Sequence, residues 1–238
     1  MPRTARAIEA GTCYHVLNRG NGKQRLFHQD GDYRDFLKLI AKGLQRYPVD
    51  LFAYCLMSNH FHFLVRPKTD IALSRFMGWL GVSHVRRRYE YEQNSAGGHL
   101  YQGRFKCFPV QDDTHFLTVA RYIEANPLRA KLVQRAEQWQ WSSLASTAIL
   151  PVVDYPVDRP TPWLRVVNQS IPDDALDNIR SSIKHGRPFG TETWSARMVN
   201  RLGLQHTLRT TGRPRKANAQ LSLRSQQRRT KEKRDATK

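Results

Sequence analysis

The sequence predicts an α+β fold: a ferredoxin-like antiparallel sheet flanked by helices, followed by a small C-terminal helical extension and a basic tail. Three observations carry this expectation. Strand-like and helix-like hydrophobic periods follow one another over the first 150 residues in the order β-α-β-β-α-β-α. A proline-rich stretch, Pro151 to Pro162, then breaks the pattern. From Thr211 to Lys238, ten Lys and Arg stand against only Glu232 and Asp235, a net charge of +8, with no aromatic side chain.

Each element has its own signal. Residues 11–18 (GTCYHVLN) are rich in strand formers. Residues 31–47 place Phe36, Leu37, Ile40 and Leu44 on one helical face. Residues 49–57 and 60–66 are two apolar runs separated by Ser58 and Asn59, a polar pair suited to a hairpin turn. Residues 71–92 read as a helix and 105–110 as a further strand. A helix over 114–125 carries an apolar stripe of Phe116, Val119, Ala120 and Ile123. Asp112 and Asp113 are its candidate caps, and Pro127 lies just beyond its end. Residues 163–210 predict two or three short helices. The expected organisation is therefore a principal domain over 1–150, an extension over 151–210 and a tail over 211–238 that is disordered until it meets DNA.

Composition narrows the function. Of 238 residues, 39% are apolar, with 14 Gly and 12 Pro, which excludes collagen-like and wholly disordered chains. The 39 Lys and Arg against 20 Asp and Glu give +19, an excess that repels itself and points to a polyanionic partner, nucleic acid above anionic membrane. No apolar run reaches the roughly 18 residues of a membrane span, and the first residues lack the apolar core of a secretory signal. Cys13, Cys55 and Cys107 show neither a disulfide framework nor a C-x-x-C spacing, so buried thiols and a cytoplasmic setting are expected.

The sharpest local feature is His60-Phe61-His62. Side chains alternate along a strand, so both imidazoles face one side and Phe61 and Phe63 the other. Such a pair can present nitrogens to one metal ion, or stand as a hydrogen-bonded or solvated pair; the residues alone leave both open. Tyr122 and Asn126, four apart, share one edge of the 114–125 stripe. If that helix packs beside the histidine strand, Asn126 can offer a metal an oxygen and Tyr122 its hydroxyl; a tyrosine at a core edge also fits the spacing.

The segments Ser58-Asn-His-Phe-His-Phe-Leu-Val-Arg-Pro67 and Ala120-Arg-Tyr-Ile-Glu-Ala-Asn-Pro-Leu-Arg-Ala130 resemble the REP-associated tyrosine transposases of the HUH single-tyrosine superfamily. Matches at His15 to Gly20, Gln102 to Lys106 and Trp141 to Ser143 support the likeness, which spans roughly residues 8–145. The resemblance implies an HUH endonuclease fold, His60 and His62 as ligands of Mg²⁺ or Mn²⁺ with Asn126 third, and Tyr122 as nucleophile. It implies a metal-dependent single-strand DNA endonuclease and strand transferase that forms a 5′-phosphotyrosine on REP-like palindromic hairpins. The alternative is a non-catalytic hairpin-binding regulator on the same scaffold. A bacterial, nucleoid-associated monomer is expected, with a dimer as the other arrangement.

For the DNA surface, the expected contacts are Arg19, Arg104, Lys106 and Arg129, with Tyr101 and the Arg86-Arg87-Arg88 run as further candidates. In the tail, Gly212-Arg213-Pro214 is similar to an AT-hook core, which adds Arg213 and Arg215.

Overall fold

A computed structural model of the chain describes residues 7–91 and 98–208. The tail residues Arg213 and Arg215 lie outside the described residues. Four strands, β1 (Cys13–Arg19), β2 (Val49–Met57), β3 (His60–Pro67) and β4 (Lys106–Val110), form one antiparallel sheet in the order β2-β3-β1-β4. Helix α1 (Asp30–Arg46) separates β1 from β2 in sequence, and α2 (Ala72–Tyr91) separates β3 from β4. This is the expected ferredoxin-like arrangement.

Strand alternation sorts the core into two layers. Phe61 and Phe63 turn with Val16, Tyr54 and Leu56 toward one apolar cluster, completed by Phe36 and Leu37 of α1 and Phe76 and Leu80 of α2. Each fully buried Phe there contributes about 1.5–3 kcal/mol relative to exposure. The two helices pack closely at Gly43, where an added Cβ would come within 2.6 Å of the Phe76 ring. Leu64, Cys55 and Phe108 turn the other way, toward α3 (Thr114–Glu124), which contributes Phe116, Val119 and Ile123. A bulge between Leu51 and Ala53 sends Phe52 and Ala53 to this second layer together.

The tight β2–β3 connection is the Ser58-Asn59 pair, with Met57 opposite His60. Asp113 caps α3, its carboxylate accepting the His115 backbone N–H at 2.7 Å. The helix closes at Glu124, one residue before the expected end. Beyond Ala125 a short helix α4 (Asn126–Arg129) takes Pro127 into its first turn, where a missing N–H costs nothing. Asn126 therefore opens α4 rather than extending α3.

The chain beyond α4 covers both sheet edges. On the β2 side, the Leu56 N–H donates to the Trp141 carbonyl at 2.9 Å, the Ser143 N–H to Tyr54 at 2.9 Å and the Val153 N–H to Leu51 at 2.9 Å. On the β4 side, Phe189 pairs with Val110 in a parallel bridge. Three helices, α5 (Trp163–Asn168), α6 (Asp173–His185) and α7 (Glu192–Arg201), follow residue 150 among the described residues. Val167 and Ile179, from α5 and α6, join the second layer, and Tyr155 and Val157 of the proline-rich stretch pack against it. Among the described residues, no helix is long and apolar enough to cross a membrane.

Candidate active site

The site forms where β1, β3, α3 and α4 meet on the second face of the sheet. Register places Arg19 opposite His60 and Leu17 opposite His62, so these four residues share that face. His62 is buried at 3% exposure, and the His60 and His62 ring centroids stand 5.0 Å apart. Tyr122, on the face of α3 that meets the sheet, stands edge-to-face with His62, the ring centroids 5.9 Å apart. The Asn126 side chain stands beside His60 at the start of α4. His60, His62, Tyr122 and Asn126, singled out from two sequence segments about 60 residues apart, thus come together in space.

The structure adds a third imidazole. His15 of β1 is fully buried, and its Nε2 lies 2.8 Å from Nδ1 of His62. Its ring also meets Tyr122 at 6.0 Å and Phe108 edge-on at 4.9 Å. Its Nδ1 is buried with no hydrogen-bond partner among the described residues. His15 stands inside the β1 match but carries no local signal of its own, because its partner is 47 residues away.

Burial holds these rings neutral. It drives His15 down to about 3, with the charge of Arg129 adding to the effect. His60 falls to about 4, mainly through burial and then through Arg19 and Arg129, while Asn126 works the other way. His62 is pushed well below its ordinary value by burial first, then by His15, His60 and the two arginines. Neutral imidazoles beside an asparagine oxygen are a donor set that accepts a divalent cation without first losing a proton. His60 Nδ1 is already committed to Asn59 Oδ1 at 2.6 Å. These residues fit a metal ion on the chemistry of their donors.

The basic residues divide. Arg19 is half-buried beside His60, and its Nε has no hydrogen-bond partner among the described residues. Lys106, exposed at the start of β4, is in register with Leu17 and so lies on the histidine side of the sheet. Arg104 is exposed and instead borders a groove of about 860 Å³ with Gly78, Gly81 and Val82 of α2 and with Asn18, which shares the Phe61 side. Arg129 lies over the Tyr122 ring, its guanidinium carbon 3.9 Å from the ring centroid, and donates to the Tyr122 carbonyl at 2.9 Å. Tyr101, a candidate stacking platform, spends its hydroxyl on His84 Nδ1 at 2.6 Å. In the Arg86–Arg88 run, Arg87 pairs with Asp35 at 3.1 Å and Arg88 meets His28 at 2.7 Å; Arg86 is exposed.

A ferredoxin-like sheet with two strand histidines facing a helix-borne tyrosine defines a class, and comparison with known proteins agrees. Residues 10–126, just under half of the chain, match the family model described as IS200-like transposase. It is 23% identical over 125 residues to a protein of Haemophilus influenzae described as a REP-associated tyrosine transposase, covering 47% of this chain and 69% of that one. A solved structure of a REP-associated tyrosine transposase bound to a REP hairpin superposes with a TM-score of 0.50 at 19% identity, over 60% of this chain and 82% of that one. At that identity the likeness shows a shared fold. The family resemblance carried by the His60–His62 and Tyr122–Asn126 segments is borne out.

Proposed function

We propose that this transposase-family chain is a metal-dependent nickase and strand transferase of single-stranded or hairpin DNA, with REP-like palindromes as its substrates. The convergence of His60, His62, Asn126 and Tyr122 on one face of the sheet carries this reading. In it, the two histidines and Asn126 hold Mg²⁺ or Mn²⁺. Bound there, the ion supplies positive charge to a scissile phosphate as charge develops in the transition state.

Every other step belongs to the chain. Arg19 and Lys106, on the histidine side of the sheet, draw the phosphate backbone to the site, and Arg104 extends the basic surface toward α2. Tyr122 is held on its ring face by Arg129 and along its edge by His15 and His62, which limits the directions its hydroxyl can take. The phenol oxygen forms a bond to phosphorus as the bond to the 3′ oxygen breaks, and the phenol proton ends on that 3′ oxygen. A 5′-phosphotyrosine and a free 3′-hydroxyl result. One phosphoester replaces another, so the reverse step joins strands without ATP.

Residues 1–150 are assigned the catalytic role, 151–210 that of a brace, and 211–238, with Arg213 and Arg215, a non-specific hold on DNA. The chain's own coverage of both sheet edges supports a monomer acting in cis, since an uncovered edge is what a second copy would extend. A bacterial, cytoplasmic and nucleoid-associated setting suits DNA of this kind.

The test is incubation of the protein with a REP-type hairpin oligonucleotide and Mn²⁺. A covalent protein–DNA adduct is expected, abolished by EDTA and in Tyr122→Phe. Cleavage without any adduct would assign the attack to water instead. Hairpin binding that survives EDTA with no cleavage would leave the regulator reading.

A further inference from the structure

Two neutral imidazoles in contact share one hydrogen bond through one proton, so the tautomer of each ring fixes that of the other. At the candidate site this choice decides which nitrogen His62 can offer a metal. With its proton on Nδ1, His62 presents a bare lone pair at Nε2. With His15 donating from Nε2, His62 keeps its proton on Nε2 and cannot coordinate there.

We infer that His15 is a positioning residue, which accepts the Nδ1 proton of His62 and so presents Nε2 of His62, unprotonated and fixed in direction, to a divalent cation. The inference rests on the proposed metal-dependent reading of His60 and His62.

The neighbouring ligand shows the same device. Asn59 Nδ2 donates to the Lys23 carbonyl at 3.1 Å, which turns Asn59 Oδ1 toward His60. An amide oxygen only accepts, so at 2.6 Å the proton on His60 stands at Nδ1 and its Nε2 is bare. His15 does for His62 what Asn59 does for His60. Its ring is held in place by a stacked contact to His62 at 5.0 Å and an edge-on contact to Phe108 at 4.9 Å. The fold gains little from it otherwise. An apolar ring would fill the same space, whereas His15 in the assigned tautomer carries its own proton on a buried Nδ1 with no acceptor among the described residues, a cost that a ring kept only for packing would not bear. A polar group kept at such a position, against the ligand, serves orientation rather than packing.

The experiment is calorimetric titration of the full chain with Mn²⁺ alone, without DNA, on wild type, His15→Phe and His15→Gln, with thermal melts of each. His15→Phe is expected to weaken Mn²⁺ by about 10–100-fold, the usual cost of losing an outer partner of a metal-bound histidine, with its Tm unchanged or raised. His15→Gln, whose amide oxygen can accept the same proton, is expected to recover most of that affinity. Nitrogen-15 NMR of the histidine rings is expected to find the His62 proton on Nδ1. Wild-type affinity in His15→Phe, a His62 proton on Nε2, or parallel losses of Tm and affinity in both variants would each overturn the inference. Absence of Mn²⁺ binding by the wild type, or equal binding by a His60→Ala/His62→Ala double variant, would instead remove the metal reading, and this inference with it.

Discussion

Two buried polar clusters meet α3 from different sides, and they are built in opposite ways. Tyr122 and Glu124 stand two residues apart on the helix, so they point to different faces. On the Glu124 side, one carboxylate accepts from Trp163 Nε1 at 2.7 Å, Ser143 Oγ at 3.0 Å and Tyr155 OH at 3.2 Å. Three donors from three separate stretches of chain close on two acceptors. On the Tyr122 side, three neutral imidazoles gather, and the buried Nδ1 of His15 is left without a partner among the described residues. The first cluster is complete within the chain and works as a brace between α3, the β2 edge and the extension. The second leaves polar atoms unpaired within the described residues. Satisfaction of hydrogen bonds, not burial or charge, separates the two.

The contrast sets an order of expected effects. His62→Ala should suppress adduct formation and Mn²⁺ affinity by more than about 100-fold while moving Tm less than any change at Glu124. Gel analysis of the adduct beside a melt decides it; a large loss of Tm with residual adduct would make the histidines a structural cluster.

Glu124→Ala should do the reverse. It leaves the half-buried Trp163 and Tyr155 donors without this acceptor, at about 1–3 kcal/mol each, while Ser143 Oγ keeps the Tyr54 carbonyl at 3.3 Å, so Tm should fall by several degrees. The adduct yield per folded molecule should be far less affected, read by single-turnover cleavage below the transition.

Acid should separate the clusters by sign. The histidines are depressed to about 3 and 4 at His15 and His60 from an ordinary 6.5, so the unfolded chain binds protons first. Their share of stability is full above pH 6.5 and is lost as pH falls toward those values. Burial raises Glu124 instead, so its share is present below about 4.5 and lost as pH rises through the raised value. Melts from pH 7.5 to 4.5 should therefore fall less steeply in His15→Phe than in wild type, and more steeply in Glu124→Gln. Identical slopes in all three would break the assignment.

The smallest effect is expected at Lys106→Ala. Hairpin affinity should drop modestly and the slope of log affinity against log salt should lessen by about 1, with the cleavage rate at saturating DNA unchanged. Fluorescence anisotropy over a salt series reads it.

The placement of the four candidate residues was legible because each sits in a short segment whose period is fixed by backbone geometry, whereas their roles came only from the family resemblance. His60 and His62 share a side because strand side chains alternate, and Tyr122 meets the sheet because Val119 and Ile123 on the same helix are apolar. Three features were not legible. His15 lies between Tyr14 and Val16 in an ordinary strand, and its meaning depends on a register that places it near β3. Glu124 reads as a helix-terminal charge until Tyr155 and Trp163 fold over it. Arg129 reads as a surface cation suited to phosphate, whereas packing lays it on Tyr122.

By itself, the sequence determined the layers: which residues form strands and helices, which faces are apolar, and that a cationic chain carries paired histidines and a tyrosine. Those properties are local, repeating every two or 3.6 residues, and survive without knowledge of distant contacts. Only the tertiary structure decided which polar atoms find partners. Hydrogen bonds between residues tens of positions apart depend on strand register, on how α3 packs and on where the extension returns, and none of these is written in any single segment.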